Sequence, residues 1–317
     1  MTDLIIKLKT EIKRLFNENI VDLVIAFKKE DSPLRPQPAF FHANDSLESL
    51  EFNSLCQNNL ANYLTKYPHE ARIGIVVRGC ESRSVNALVV EKQHPRENLY
   101  LIGVPCQGIV DFRKLVYQTG EEISGYSENQ DEITVIFKGK EYKFDRQSVL
   151  HDSCFRCVHP NPVNADVLIG EPLPEGDSSI VRKSVESFEA LTKEERYAWF
   201  RHEAERCIHC YACREACPMC YCTECFVDHN PPRWTESSVS PAGTQAWHII
   251  RAFHQAGRCT SCGACERACP MDIKMTYMTD KLNEDMLKLY NFESGMDDKT
   301  QPPFSSFNLD DKNRFVA

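Results

Sequence analysis

Apolar residues at helical spacing open the chain. Leu4, Ile5, Leu8, Ile12, Leu15 and Phe16 recur at steps of three and four with lysines between them. That period predicts an amphipathic helix, and packing on a core is favoured over a seat on a membrane surface. Residues 20–27 (IVDLVIAF) form a short, nearly continuous apolar run, as a buried strand does. Residues 72–77 (RIGIVV) and 99–104 (LYLIGV) repeat it, with helical stretches at 55–67, 81–92 and 109–117. The strands at 72–77 and 99–104, joined by one helix, predict a βαβ unit with its strands in parallel. Apolar and polar positions alternate over 132–144 on both sides of Gly139 and Lys140, a hairpin signature.

The pattern changes near residue 180. Residues 170–179 (GEPLPEGDSS) are rich in turn formers and read as a linker. Helical periodicity then dominates at 193–205, 245–255 and 277–289, and the chain turns polar after Asn291. The length of 317 residues sets an expectation of about two domains. Lysine and arginine total 37 against 46 aspartates and glutamates, a net charge of −9, which argues against a nucleic-acid ligand. No run reaches the roughly 20 apolar residues that span a bilayer. Sixteen cysteines and no export signal give the expectation of a reducing cytoplasm, in an anaerobic host.

Half of those cysteines fall into two runs of C-x2-C-x2-C-x3-C-P. The first is Cys207, Cys210, Cys213 and Cys217 before Pro218; the second is Cys259, Cys262, Cys265 and Cys269 before Pro270. This is the bacterial ferredoxin pattern for [4Fe-4S] clusters, in which the fourth cysteine of each run ligates the other cluster. One cluster is therefore assigned Cys207, Cys210, Cys213 and Cys269, and the other Cys259, Cys262, Cys265 and Cys217. Zinc sites give no reason for such a repeat. The expected fold is an α/β domain with a small, partly parallel sheet at 1–180, then a mostly helical dicluster ferredoxin-like domain at 181–291. Residues 292–317 form a tail expected to wrap a partner or to be poorly ordered.

Parallel strands joined by one helix end at the same sheet edge. Cys80 follows the first strand and Cys106 the second, so these thiols are expected to be neighbours, with helix N-termini after each favouring an anionic site. Cys154 and Cys157 add a C-x2-C pair. Four such thiolates can hold a third [4Fe-4S] cluster; zinc or no metal are the alternatives.

The segments RGCESRSVNALVVEKQ, LYLIGVPCQG and CFRCVHPNPVNADVLIGE, within residues 70–172, resemble the β subunit of coenzyme F420-reducing hydrogenases and dehydrogenases. Gly103 through Cys106 match that family's G-x-P-C strand end, and Cys154 and Cys157 its later C-x2-C before an ADI-x-x-G stretch, here Ala165-Asp166-Val167. The resemblance implies a [4Fe-4S] cluster, FAD, and electron exchange between a deazaflavin and an iron-sulfur chain. The α/β half is shorter than that family's, and the ferredoxin module follows it rather than preceding it. The layout also resembles iron-sulfur subunits of heterodisulfide-reductase-like, hydrogenase and formate dehydrogenase complexes.

Three more thiols, Cys220, Cys222 and Cys225, lie between the runs, with His229 four positions on. They are compatible with a Cys3His zinc site, with ligands to a further cluster, or with a loop that shields the first cubane. Cys56 reads as a buried apolar residue. His209, in the first cluster loop, is a candidate for tuning potential or a solvated side chain. Trp199, Trp234 and Trp247 are expected to bury the clusters, with Ile208, Ala212 and Ile273 lowering the local dielectric. Arg78 and Arg83 flank Cys80, as flavin or partner contacts or as ordinary salt bridges. No catalytic constellation, Walker loop or dinucleotide fingerprint is present. The expectation is a non-catalytic electron-relay subunit of a cytoplasmic oxidoreductase complex. The alternative is an FAD-containing subunit that itself oxidises or reduces a soluble hydride carrier such as F420.

Overall fold

The computed structural model of the protein describes residues 2–29, 34–120, 123–236 and 238–307. The first predicted helix is α1, Thr2–Asn17, and it packs: Leu8, Ile12 and Leu15 are buried together at a step of four and then three. Beneath it lies a sheet built from β1 (Leu23–Lys28), β2 (Gln37–Phe41), β3 (Leu50–Glu51), β4 (Ile73–Val77), β5 (Leu99–Gly103) and β9 (Val167–Leu168). Its order is β2-β1-β4-β5-β9, with β3 also on β1. β1, β4, β5 and β9 pair in parallel, whereas β2 and β3 pair antiparallel to β1. Every residue of β4 is buried, as a central strand covered on both faces requires. The helix of the βαβ unit is α2, Gly79–Val90. Glu81 starts it by accepting the Arg78 amide at 2.9 Å.

Beyond α3 (Phe112–Thr119), capped by Asp111, a separate antiparallel meander contains β6 (Ile123–Glu128), β7 (Glu132–Phe137) and β8 (Lys140–Asp145). The predicted hairpin is its β7–β8 turn. Short helices α4 (Arg146–Val149) and α5 (Asp152–Phe155) follow. The C-terminal half is helical: α6 (Ser178–Glu189), α7 (Lys193–Glu205), α8 (Ala212–Glu215), α9 (Pro241–His254), α10 (Ala264–Arg267) and α11 (Thr276–Tyr290).

Three differences from the sequence reading have local causes. The predicted helix at 55–67 is a 3₁₀ turn, Leu60–Lys66, because Asn53 and Asn59 accept the amides of Leu55 and Ala61 and compete with α-helical bonding. The linker stretch ends inside α6, where Asp177 caps the Ser179 amide. The start of the polar tail docks on its own chain. The Ser294 carbonyl accepts from Arg83 at 2.8 Å and the Gly295 carbonyl from Asn86 at 2.9 Å. A β-carbon on Gly295 would sit 2.1 Å from the Arg83 carbonyl oxygen, so the contact requires glycine. Residues 308–317 of the tail lie outside the described residues.

Candidate iron-sulfur centres

The two cysteine runs fold alike. Each ends in a four-residue helix, α8 or α10, entered through a left-handed residue, Tyr211 at φ 57° or Gly263 at φ 70°. His209 and Ser261, one position before the second cysteine of each run, are also left-handed. This geometry turns backbone N–H groups toward sulfur, as anion-binding nests do. The Ser261 amide lies 3.4 Å from the Cys259 sulfur, and the His209 amide faces Cys207.

The grouping of thiols is crossed between the runs. Burial pushes the Cys207 thiol up, and Cys213, Cys269 and Cys210 surround it. Cys259 is pushed up to about 12 by burial, with Cys262 and Cys217 as neighbours. Cys217, Cys259, Cys262 and Cys265 line one cavity. The fourth cysteine of each run thus stands with the first three of the other.

The third grouping follows from sheet register. Val77 of β4 is opposite Gly103 of β5, and Cys80 and Cys106 each follow three residues later. Cys80, Cys106, Cys154 and Cys157 line a cavity of about 360 Å³ that also touches Cys262. Burial raises Cys106 to about 11 and Cys157 to about 12, with Cys154 adding to both. Cys80 is raised by burial, then by Glu81 and by Cys262 of the second run. Cys80 sits in the first turn of α2, where the helix dipole favours an anion. No helix follows Cys106 directly; α3 starts only at Phe112, and the Cys106 amide instead bonds the Pro160 carbonyl at 3.0 Å.

All sixteen thiols are unbridged, and most are desolvated, an environment that keeps a thiol protonated unless a cation replaces the proton. Four-thiol sets of this kind fit iron cubanes, each iron taking one thiolate. Among the described residues no three histidine, cysteine or acidic side chains converge closely enough for a single metal ion. His229 pairs instead with Glu224 at 3.7 Å, so the Cys3His set is not assembled. Cys220 accepts from Gln255 at 3.4 Å, Cys225 meets Arg214, and Cys222 is exposed.

Other candidates resolve simply. Cys56 is fully buried in the α/β core. Arg78 is buried against Glu81 at 2.9 Å, and Arg83 pairs with Glu293 at 3.0 Å. Both are salt bridges within the chain. Trp247 is buried beside Cys213, whereas Trp234 is 67% and Ile208 50% exposed, so those two shield nothing. Ile273 is buried in the same small core as Cys207 and Cys269. His209 stacks on Tyr211 with centroids 5.6 Å apart. Sequence reasoning missed Arg251, a charged residue of α9 that is only 4% exposed. Burial works against its charge, and the thiols of Cys265, Cys217, Cys213 and Cys220 more than offset that. The helical period did not mark it, because the apolar stripe of α9 runs through Ile249 and Phe253, which are exposed.

The family described as "4Fe-4S dicluster domain" matches residues 203–273, which span both cysteine runs. The chain therefore carries a [4Fe-4S] dicluster domain. It is 23% identical to "F420-dependent formate dehydrogenase subunit beta" of Methanocaldococcus jannaschii across 92% of each chain. It is 25% identical to "F420-dependent formate dehydrogenase 1 subunit beta" of Methanococcus maripaludis, across 92% of this chain and 90% of that one. These relatives bear out the resemblance read from the sequence and extend it over both halves. A solved F420-reducing [NiFe] hydrogenase complex from Methanosarcina barkeri matches at a TM-score of 0.38 and 12% identity, covering 46% of this chain and 57% of that one. That likeness is too loose to bear on the site.

Proposed function

We propose that this chain is the iron-sulfur electron-transfer subunit of a formate dehydrogenase-type complex, with three [4Fe-4S] clusters in series. The division into an α/β domain (1–180) and a dicluster domain (181–291) gives the third cluster to the first and the ferredoxin pair to the second. The observation that carries the reading is the position of Cys262. It belongs to the second-run set and also lines the cavity of Cys80, Cys106, Cys154 and Cys157. The Cys259, Cys262, Cys265 and Cys217 set is therefore the middle station. The Cys207 set lies at one end, where Cys210 is exposed, and the α/β set lies at the other.

When bound, the clusters supply one-electron chemistry. The chain supplies thiolates, amides aimed at sulfur, and a poorly solvated setting that shifts reduction potential. Among the described residues no helix is long and apolar enough to cross a membrane.

Anaerobically purified wild type is expected to hold about twelve irons with matching sulfide, and Cys80→Ser about eight, four per cubane. Cys56→Ser is expected to keep the wild-type count. About eight irons in the wild type, unchanged by Cys80→Ser, would remove the third cluster. The relatives' names favour a second reading, an FAD-bearing subunit that itself exchanges hydride with F420. Flavin released by acid at one per chain would establish that reading, and a flavin-free preparation the plain relay.

A further inference from the structure

α9 is inside out in one respect. Ile249 and Phe253 face solvent at 41% and 62% exposure, while Thr244, Trp247, His248 and Arg251 are buried. An arginine is almost never buried without a partner, because a desolvated charge is costly unless it is paired. Among the described residues no carboxylate pairs with Arg251. Its Nη2 donates to the Cys213 carbonyl at 3.2 Å, and its Nε has no hydrogen-bond partner. Cysteines of both crossed sets surround it: Cys213 of one through that carbonyl, Cys217 and Cys265 of the other across a cavity that Arg251 also lines, and Cys220 across a second. One turn before, His248 is buried; one turn after, Gln255 lies against the sulfurs of Cys217 and Cys220 at 3.6 and 3.4 Å. Two other nearby cations are already engaged, Arg258 by Glu91 at 2.5 Å and Arg214 by Asp228 at 2.7 Å.

We infer that Arg251 is the shared counter-ion of the two ferredoxin-type clusters, a buried cation set between them that raises both reduction potentials together. A cubane with four thiolates is anionic and gains a further negative charge on reduction, so a fixed cation beside it favours the reduced form. One guanidinium facing ligands of both cubanes acts on both. The inference rests on the cluster assignment proposed above and adds a residue that ligates nothing.

The test is an EPR-monitored redox titration of the full, anaerobically purified chain and of Arg251→Met and Arg251→Lys. With iron content unchanged, Arg251→Met is expected to lower the ratio of reduced to oxidised clusters at least tenfold at fixed potential. That is about 59 mV for one electron, and it is expected in both ferredoxin-type clusters. Arg251→Lys keeps the charge and is expected to stay near wild type. Unchanged potentials in Arg251→Met, or a shift in one cluster alone, would overturn the shared role. If Arg251→Met loses iron, Arg251→Lys decides: retention of both clusters supports the charge, and equal loss overturns it. A wild type without two reducible cubanes would defeat the cluster assignment itself, a result distinct from any of these.

Discussion

Gly263 lies so close to Ser153 that a β-carbon on the glycine would stand 2.0 Å from the serine Oγ. Gly263 follows Cys262 of the second cysteine run, and Ser153 precedes Cys154, so this contact packs the second run against the Cys154–Cys157 segment. Gly263 also has φ +70°, where an L side chain is strained. Gly139, in the β7–β8 turn, has a similar φ of +74° with nothing within 4 Å. Gly263→Ala therefore carries backbone strain plus a clash, and Gly139→Ala the strain alone, of order 1–2 kcal/mol. Anaerobic thermal unfolding should rank Gly263→Ala clearly below Gly139→Ala. Equal midpoints would show that the close approach is not fixed.

The ligand crossing gives a sharper expectation. Cys217→Ser removes a thiolate from the set of Cys259, Cys262 and Cys265, although it belongs to the first run. Cys269→Ser does the reverse. EPR spectra of the two reduced variants should each lose or alter one ferredoxin-type signal, and not the same one. In a double variant of Cys217 and Cys213, both clusters should be altered. If Cys217 and Cys213 substitutions alter one and the same signal, the runs are not crossed.

The central strands, the βαβ unit and the repeated cysteine run were legible because each rests on local period or spacing. β4 and β5 read correctly since both faces are apolar, and α7 was placed at its observed residues, where Thr192 and Glu195 form a capping box. The third thiol set was reached by a topological step: parallel strands put Cys80 and Cys106 on one edge. What stayed hidden depends on tertiary contact. β3 and β9 are two residues long and exist only by pairing with neighbours. No local pattern says that the tail at Ser294 caps Arg83, or that the Cys220 to Cys225 insertion leaves His229 with Glu224. Arg251 was passed over because a lone arginine in a helix ordinarily faces water.

The buried Arg78–Glu81 pair ties the start of α2 to the segment around Cys56 and Leu60. Arg78 lies between Phe27 and Phe52, 5.5 and 5.6 Å from the ring centroids, and holds the carbonyl of Cys56 at 2.8 Å. Glu81 adjoins Cys80 and accepts the Leu60 amide at 3.1 Å. Arg78→Met leaves a buried carboxylate uncompensated and should cost about 3–5 kcal/mol. Adding Glu81→Gln should restore most of that, because the orphaned charge is gone. Unfolding midpoints of the two variants check the coupling, and additive losses would mean that the pair does not act as one unit.

Iron removal should act unevenly on the two halves. The helical half has a small core of Cys207, Cys213, Val227, Trp247, Cys269, Ile273 and Met275, in which three of seven residues are assigned ligands. The α/β half is held by a much larger set of valines, leucines and isoleucines around β1, β4 and β5. Apolar burial of about 25 cal/mol per Å² survives chelation, whereas a core organised around metal does not. The chain has three tryptophans, so Trp199→Phe with Trp234→Phe leaves Trp247 as the sole indole probe beside Cys213. Anaerobic chelation should shift its emission to the red and expose it to quenchers. The amide protons of β4 and β5 should stay protected from exchange in the same sample. A Trp247 emission unchanged after the last iron is removed would mean that this core stands without its clusters.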